Sequence, residues 1–217
     1  MNLTIVIAQA GEGKTFFCKR NFIYKKPKCL PFDINNEYYE DKRLTDAEIK
    51  AMVTKDLTYK MIFDIVNPKL PVDNKLNRSR FVGKVDDTEG HEKYMMDFLN
   101  VAIKKRNTNI VIDESTIFFQ GRVTSDKIRA LIGLRRHTRN NIVLNFLSIE
   151  DVPPYLLRNS NFIVLFKTAD SEKSLSGKSQ FLLEYFKKLQ KMPDHSYIII
   201  PRNIKIAKPE IVTAKKK

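Results

Sequence analysis

The sequence predicts an α/β fold in which a central, mostly parallel sheet is flanked by helices, and three observations carry that prediction. Short apolar runs alternate with stretches of helical periodicity along the chain, as a parallel sheet requires. The first run, residues 3–8 (LTIVIA), leads directly into Gln9-Ala10-Gly11-Glu12-Gly13-Lys14-Thr15. A later run, Ile110-Val111-Ile112, ends in the tandem acid Asp113-Glu114.

The elements follow in order. Strand 3–8 precedes a helix expected from Lys14 to about Tyr24, and residues 28–32 (KCLPF) form a short strand ending at Asp33. A helix is expected over 45–54, with Asp46 and Glu48 near its start, and a strand over 60–66. Residues 67–84, rich in Pro, Asn, Lys and Arg, read as a long loop or hairpin, with 80–85 as a weak strand. Residues 88–105 form an amphipathic helix with Tyr94, Phe98, Val101 and Ala102 on one face. A buried strand over 109–112 precedes a basic helix over 125–139, and 142–147 is again a strand. Pro153-Pro154 introduces a short helical piece, 162–166 is a strand, 178–191 a helix and 197–200 a last strand. The sequence contains no internal repeats and is expected to form a single doubly wound domain over 1–207, with 208–217 as a basic tail.

Composition bounds the function. The chain has 217 residues, of which 42% are hydrophobic, enough for a packed core. Its formal charge of +14 suggests a polyanionic partner, nucleic acid first and an anionic membrane surface second. A Lys-rich chain from an AT-rich genome would carry the same bias. Cys18 and Cys29 have no metal-binding spacing and suit the reduced state of an intracellular protein. No run reaches the ~20 apolar residues that span a bilayer, and the N-terminal run lacks the basic lead of a signal peptide. The expected location is the cytosol.

Four constellations carry chemistry. The first matches G-x-x-x-x-G-K-[ST], the Walker A phosphate loop, except that Ala8 replaces the first Gly. Gln9, Ala10, Gly11, Glu12, Gly13, Lys14, Thr15 and Phe16 would then surround the phosphates of ATP. Lys14 would reach the β- and γ-oxygens and Thr15 would ligate Mg2+. The competing reading is an ordinary Gly-rich turn. The second is Asp113-Glu114, in the manner of a Walker B strand: Asp113 would hold the Mg2+ shell and Glu114 would activate water. Two solvated acids capping a helix are the alternative.

The third is the basic helix that follows. Arg135, Arg136 and Arg139, with Arg122 and Arg129 behind them, are candidates to stabilise charge at a neighbouring subunit's γ-phosphate. A basic face touching DNA phosphate or water is the competing reading. The fourth is Ser148 with Asn145, toward the end of strand 142–147, candidate γ-phosphate sensors or plain strand-terminal residues.

AQAGEGKT, FDINNEY, IVIDES and GLRRHTRNNIVLNFLSIEDVPPYLLRNSNFIVLFK together resemble the FtsK–HerA superfamily of DNA-pumping ATPases. Within it, the resemblance is to the short genome-packaging ATPases of tailless, often membrane-containing viruses. It covers nearly the whole chain, although Ser148 stands where the family usually has Gln as sensor. The resemblance implies a RecA-like P-loop core, a homo-oligomeric ring of five or six subunits, and DNA in a basic pore. It also places Asp33 and Glu37 near the nucleotide or the subunit boundary.

The leading expectation is therefore an ATP-driven translocase of double-stranded DNA that packages a viral genome, acting in the host cytoplasm or with the virion. A capsid vertex or membrane protein would dock it. The 67–84 loop, with Lys69, Lys75, Arg78, Arg80 and Lys84, is a candidate DNA contact or a solvated loop, and Lys215–Lys217 a second. Rival readings are a zonula occludens toxin-like extrusion ATPase of filamentous phage, a small-molecule P-loop kinase, and a non-catalytic DNA-binding module. The extrusion ATPases usually carry a transmembrane segment, and a kinase does not require the water-activating Glu.

Overall fold

The computed structural model describes residues 1–23, 28–33, 77–78, 88–119, 122–178, 180–202 and 207–214. The helix expected over 45–54, the strands over 60–66 and 80–85, Glu37, and the 67–84 loop apart from 77–78 lie outside the described residues. So do Lys215–Lys217.

The fold class is α/β, a mostly parallel sheet flanked by helices. In chain order come β1 (Leu3–Ile7), α1 (Lys14–Cys18), a π-helical turn (Lys19–Ile23), β2 (Lys28–Phe32) and β3 (Asn77–Arg78). Then come α2 (Thr88–Ala102), β4 (Asn109–Ile112), α3 (Ser115–Phe118), α4 (Arg122–Thr138) and β5 (Asn141–Phe146). The remainder is α5 (Pro154–Asn159), β6 (Phe162–Phe166), α6 (Glu172–Lys178), α7 (Gln180–Gln190), β7 (Tyr197–Pro201) and β8 (Glu210–Val212). The chain divides into two compact units, each assembled from several stretches.

One unit comprises Met1, Thr15–Asp113 and Ile117–Ile142. Here β2 pairs in parallel with both β3 and β4, in a register that sets Phe32 opposite Ile112. The apolar strands are buried because helices cover them: the Phe32 ring lies 5.3 Å from Phe98 of α2 and 5.3 Å from Phe118. Asn140, just past α4, is buried with both ends of its amide used. Its Oδ1 accepts from Thr108 N–H at 3.0 Å and its Nδ2 donates to Lys105 O at 2.9 Å. That pins the end of α4 to the approach to β4.

The other unit comprises Asn2–Lys14, Glu114–Thr116 and Val143–Lys217, with strand order β5-β1-β6-β7-β8. All five residues of β1 are buried, as a run apolar on both faces demands. β1 and β6 are parallel, whereas β6–β7 and β7–β8 are antiparallel. The reversal has a local cause: α6 and α7 make an excursion that returns the chain to the end of the sheet it left, setting Phe166 opposite Tyr197. Residues 210–212, assigned to the basic tail from sequence, pair as β8 with β7. Leu182, Phe186 and Leu189 form the buried stripe of α7.

Candidate nucleotide site

The loop after β1 is shaped by backbone conformation. Gly11 has φ +84° and Gly13 φ +93°, values that a residue with a Cβ adopts only under strain. The entry is fixed by Ala8 N–H donating to Phe146 O at 3.1 Å and Gln9 N–H donating to Lys167 O at 3.1 Å. Ala8 is fully buried there, and its methyl is accommodated where the motif ordinarily has Gly.

Lys14, at the end of this loop, meets Glu114. Its Nζ donates to Glu114 Oε1 at 2.7 Å, with side chains only 8% and 13% exposed. Glu114 follows Asp113 at the end of β4 and adopts φ +46°, a conformation that a non-glycine residue holds at a cost of about 1–3 kcal/mol. Such strain persists where surrounding contacts impose it, here where the carboxylate meets the loop lysine. A cation suited to phosphate and a carboxylate suited to take a proton thus sit in hydrogen-bond contact, 100 residues apart in the chain.

A cleft of about 480 Å³ opens beside the loop, lined by Gln9 and Ala10, by Ser148 and Glu150 after β5, and by Asp170 and Ser171 after β6. Its volume falls within the range of small-molecule pockets. Asp170 holds the wall: its Oδ2 accepts from Ile149 N–H at 2.9 Å and its Oδ1 from Glu150 N–H at 3.3 Å. The Ser148 hydroxyl accepts from Asp151 N–H at 3.1 Å, closing a short turn. The structure thus brings Ser148 to the cleft beside Gln9 and Ala10. Asn145 is fully buried within β5.

The other unit holds Thr15, which is half-buried, and Phe16, which is 68% exposed. Asp113 is fully buried at the end of β4, its N–H donating to Phe32 O at 3.1 Å. The β2–β4 register makes Asp33, also fully buried, its neighbour on the adjacent strand. The arginines differ sharply. Arg135 is buried and its Nη1 donates to Ile132 O of its own helix at 2.7 Å. Burial, reinforced by the charge of Arg136, pushes its guanidinium below the usual arginine value. Arg136 and Arg139 are exposed, Arg139 with φ +57° at the end of α4, and Arg129 is exposed and paired with Asp126 at 3.6 Å. The side chain of Arg122 lies outside the described residues.

Asp170, Lys167 and the turn before β7 carry no signal in the sequence, because what recruits them to the loop is the order of the strands. His195 N–H donates to Glu12 Oε2 at 2.8 Å across 183 residues. A positive φ of +62° at His195 has no sequence signature beyond the turn-forming Pro193-Asp194 before it.

Sheet, glycine loop, lysine and strand-end acids together define the fold of a RecA-like P-loop NTPase. No protein-family model matches the chain, and no curated protein does. Solved structures do. The genome packaging NTPase B204 from Sulfolobus turreted icosahedral virus 2, in complex with ATP-gammaS, is 17% identical with TM-score 0.66, covering 98% of this chain and 96% of that one. B204, the DNA-packaging ATPase from Sulfolobus turreted icosahedral virus, is 17% identical with TM-score 0.65, covering 99% and 98%. VirB4 of Thermoanaerobacter pseudethanolicus is 13% identical with TM-score 0.62, covering 100% and 89%. At these identities the likeness is one of fold.

Proposed function

We propose that the protein is an ATPase that drives double-stranded DNA into a viral capsid as a homo-oligomeric ring of five or six subunits. The observation that carries this reading is the Lys14–Glu114 contact at the glycine loop. A loop that only held phosphate would need the lysine alone. Pairing it with a carboxylate adds a group able to accept a proton from attacking water, a role typically contributing about 10²–10⁴-fold to rate. Without nucleotide the two charges neutralise one another, and the γ-phosphate would displace Glu114 from Lys14, releasing the carboxylate toward water. The fold shared with packaging NTPases supports the biological setting, and the +14 charge supports DNA as partner.

The Thr15 hydroxyl and the Asp113 carboxylate are hard oxygen donors of the kind Mg2+ takes in nucleotide sites, where waters and substrate phosphates complete its shell. Among the described residues no group of three or more His, Cys, Asp or Glu side chains is arranged to hold a metal ion. Bound there, Mg2+ would neutralise charge developing on the phosphates. Arg136 and Arg139, exposed at the end of α4, are the arginines we assign to a neighbouring subunit's site, with Arg135 supporting the helix from inside. Ser148 is the sensor we favour, since it lines the cleft. Among the described residues no helix is long and apolar enough to cross a membrane. A capsid vertex or a membrane protein is the partner that would dock the ring. The host cytoplasm is the setting in which it would act.

Steady-state phosphate release by the wild type, Lys14→Ala and Glu114→Gln tests the chemistry. Turnover in the wild type and its loss in both variants supports the reading. Transfer of the γ-phosphate to a nucleoside or sugar, in place of release to water, would make the protein a kinase.

A further inference from the structure

The loop carries an acid, Glu12, where a triphosphate is to bind, and like charges at close range repel. Its position resolves the conflict. Glu12 is only 6% exposed, and both its oxygens are engaged on the protein. Oε2 accepts from His195 N–H at 2.8 Å and Oε1 from Gln9 Nε2 at 3.4 Å. The turn receiving it is itself tied down. Asp194 Oδ1 pairs with Lys167 Nζ at 2.6 Å, and Lys167 O accepts the Gln9 N–H that fixes the loop's entry. The hydrogen bond and charge of Lys167 also hold the Asp194 carboxyl below the usual carboxylate range. His195, at φ +62°, brings its Nδ1 to 3.8 Å from the point where a Gly13 Cβ would sit.

We propose that Glu12 is a positioning residue for nucleotide binding: its carboxylate straps the phosphate loop to the turn before β7, holding Gly11–Gly13 open while directing its own charge away from the phosphates. The proposal rests on the reading of the loop as an ATP site. It assigns Glu12 a role through the loop backbone, with no contact to the nucleotide. A hydrogen bond to a charged group, lost from a buried position, sets the expected effect at about tenfold in ATP affinity.

The sign of the effect decides. ATP affinity by fluorescent-nucleotide titration, KM and kcat, and hydrogen exchange at the His195 amide are measured on the full chain for wild type, Glu12→Ala, Glu12→Gln, His195→Gly and Lys14→Ala. Under the strap, Glu12→Ala weakens ATP binding about tenfold, raises KM more than it lowers kcat, and speeds His195 amide exchange in nucleotide-free protein by a similar factor. Glu12→Gln keeps a carbonyl acceptor and recovers most of both. His195→Gly keeps the N–H and suits a positive φ, so it binds ATP like the wild type. Glu12→Ala binding ATP as tightly as the wild type, or more tightly, overturns the strap, since the acid would then merely repel phosphate. A loss confined to His195→Gly overturns it too, moving the role to the imidazole. Equal failure of wild type and Lys14→Ala to bind ATP would instead overturn the ATP-site reading, with the exchange rates still deciding whether the strap exists.

Discussion

At the scale of single residues, the Lys14–Glu114 pair links sequence to chemistry most closely. If Glu114 is the base proposed above, Glu114→Gln removes it, together with the charge that pairs with Lys14 and would compete with phosphate for it. The variant is expected to lose hydrolysis by about 10²–10⁴-fold yet bind ATP more tightly than the wild type. Single-turnover kinetics alongside equilibrium titration check both halves, and weaker ATP binding would contradict the competition. Chelating Mg2+ with EDTA is expected to abolish phosphate release and to leave the protein's melting behaviour without nucleotide unchanged, which calorimetry can follow. The position of the glycine turn after β1 and of Asp113-Glu114 after β4 was legible in sequence, because a turn with positive φ and the end of a buried apolar run have few residue types to choose from. Glu12 was not, because its meaning depends on a backbone N–H 183 residues away. Arg135 was half legible. Ile128, Leu131, Ile132 and Arg135 share one stripe of α4, so its position on the core face follows from a period of 3.6, whereas its bond to Ile132 O does not.

At the scale of elements, the strands that flank the loop were readable as apolar runs: Phe162–Phe166 occupies the expected residues, and Leu3–Ile7 and Asn141–Phe146 lie within a residue of the expected bounds. Direction was not readable. β7 has the same composition as a parallel strand, and its antiparallel pairing depends on α6, a helix with too little apolar periodicity to announce itself. The aromatic cluster around β2 supports the strand that pairs with β4, and so the end of β4 where the acids sit. Phe32→Ala removes a fully buried ring with two edge-on aromatic neighbours and should cost about 3–5 kcal/mol. Chemical denaturation measures that loss, and a cost below about 1 kcal/mol would show that the cluster closes over the gap. Arg136→Ala, on the exposed face of the same helix that buries Arg135, is expected to leave stability within about 0.5 kcal/mol of the wild type.

At the scale of the whole molecule, the charge of the chain makes the proposed DNA partner testable. A chain of formal charge +14 that tracks a polyanion without reading its bases should lose DNA affinity steeply with salt, log K falling linearly with log salt concentration. Titrations across a salt series measure the slope, and a flat response would remove DNA from the account. If Arg136 or Arg139 completes a neighbour's site, mixing subunits lacking that arginine with Lys14→Ala subunits restores part of the ATPase activity that each lacks alone. No recovery at any mixing ratio would place the arginine's role within its own subunit. If hydrolysis at the glycine loop moves duplex DNA, the protein will displace a third strand from a DNA triplex when supplied with ATP, and that displacement is the measurement to make. The expected result is displacement by the wild type with ATP and none by Glu114→Gln, a variant expected still to bind both ligands. ATP turnover that is indifferent to DNA, with the third strand left in place, would contradict it.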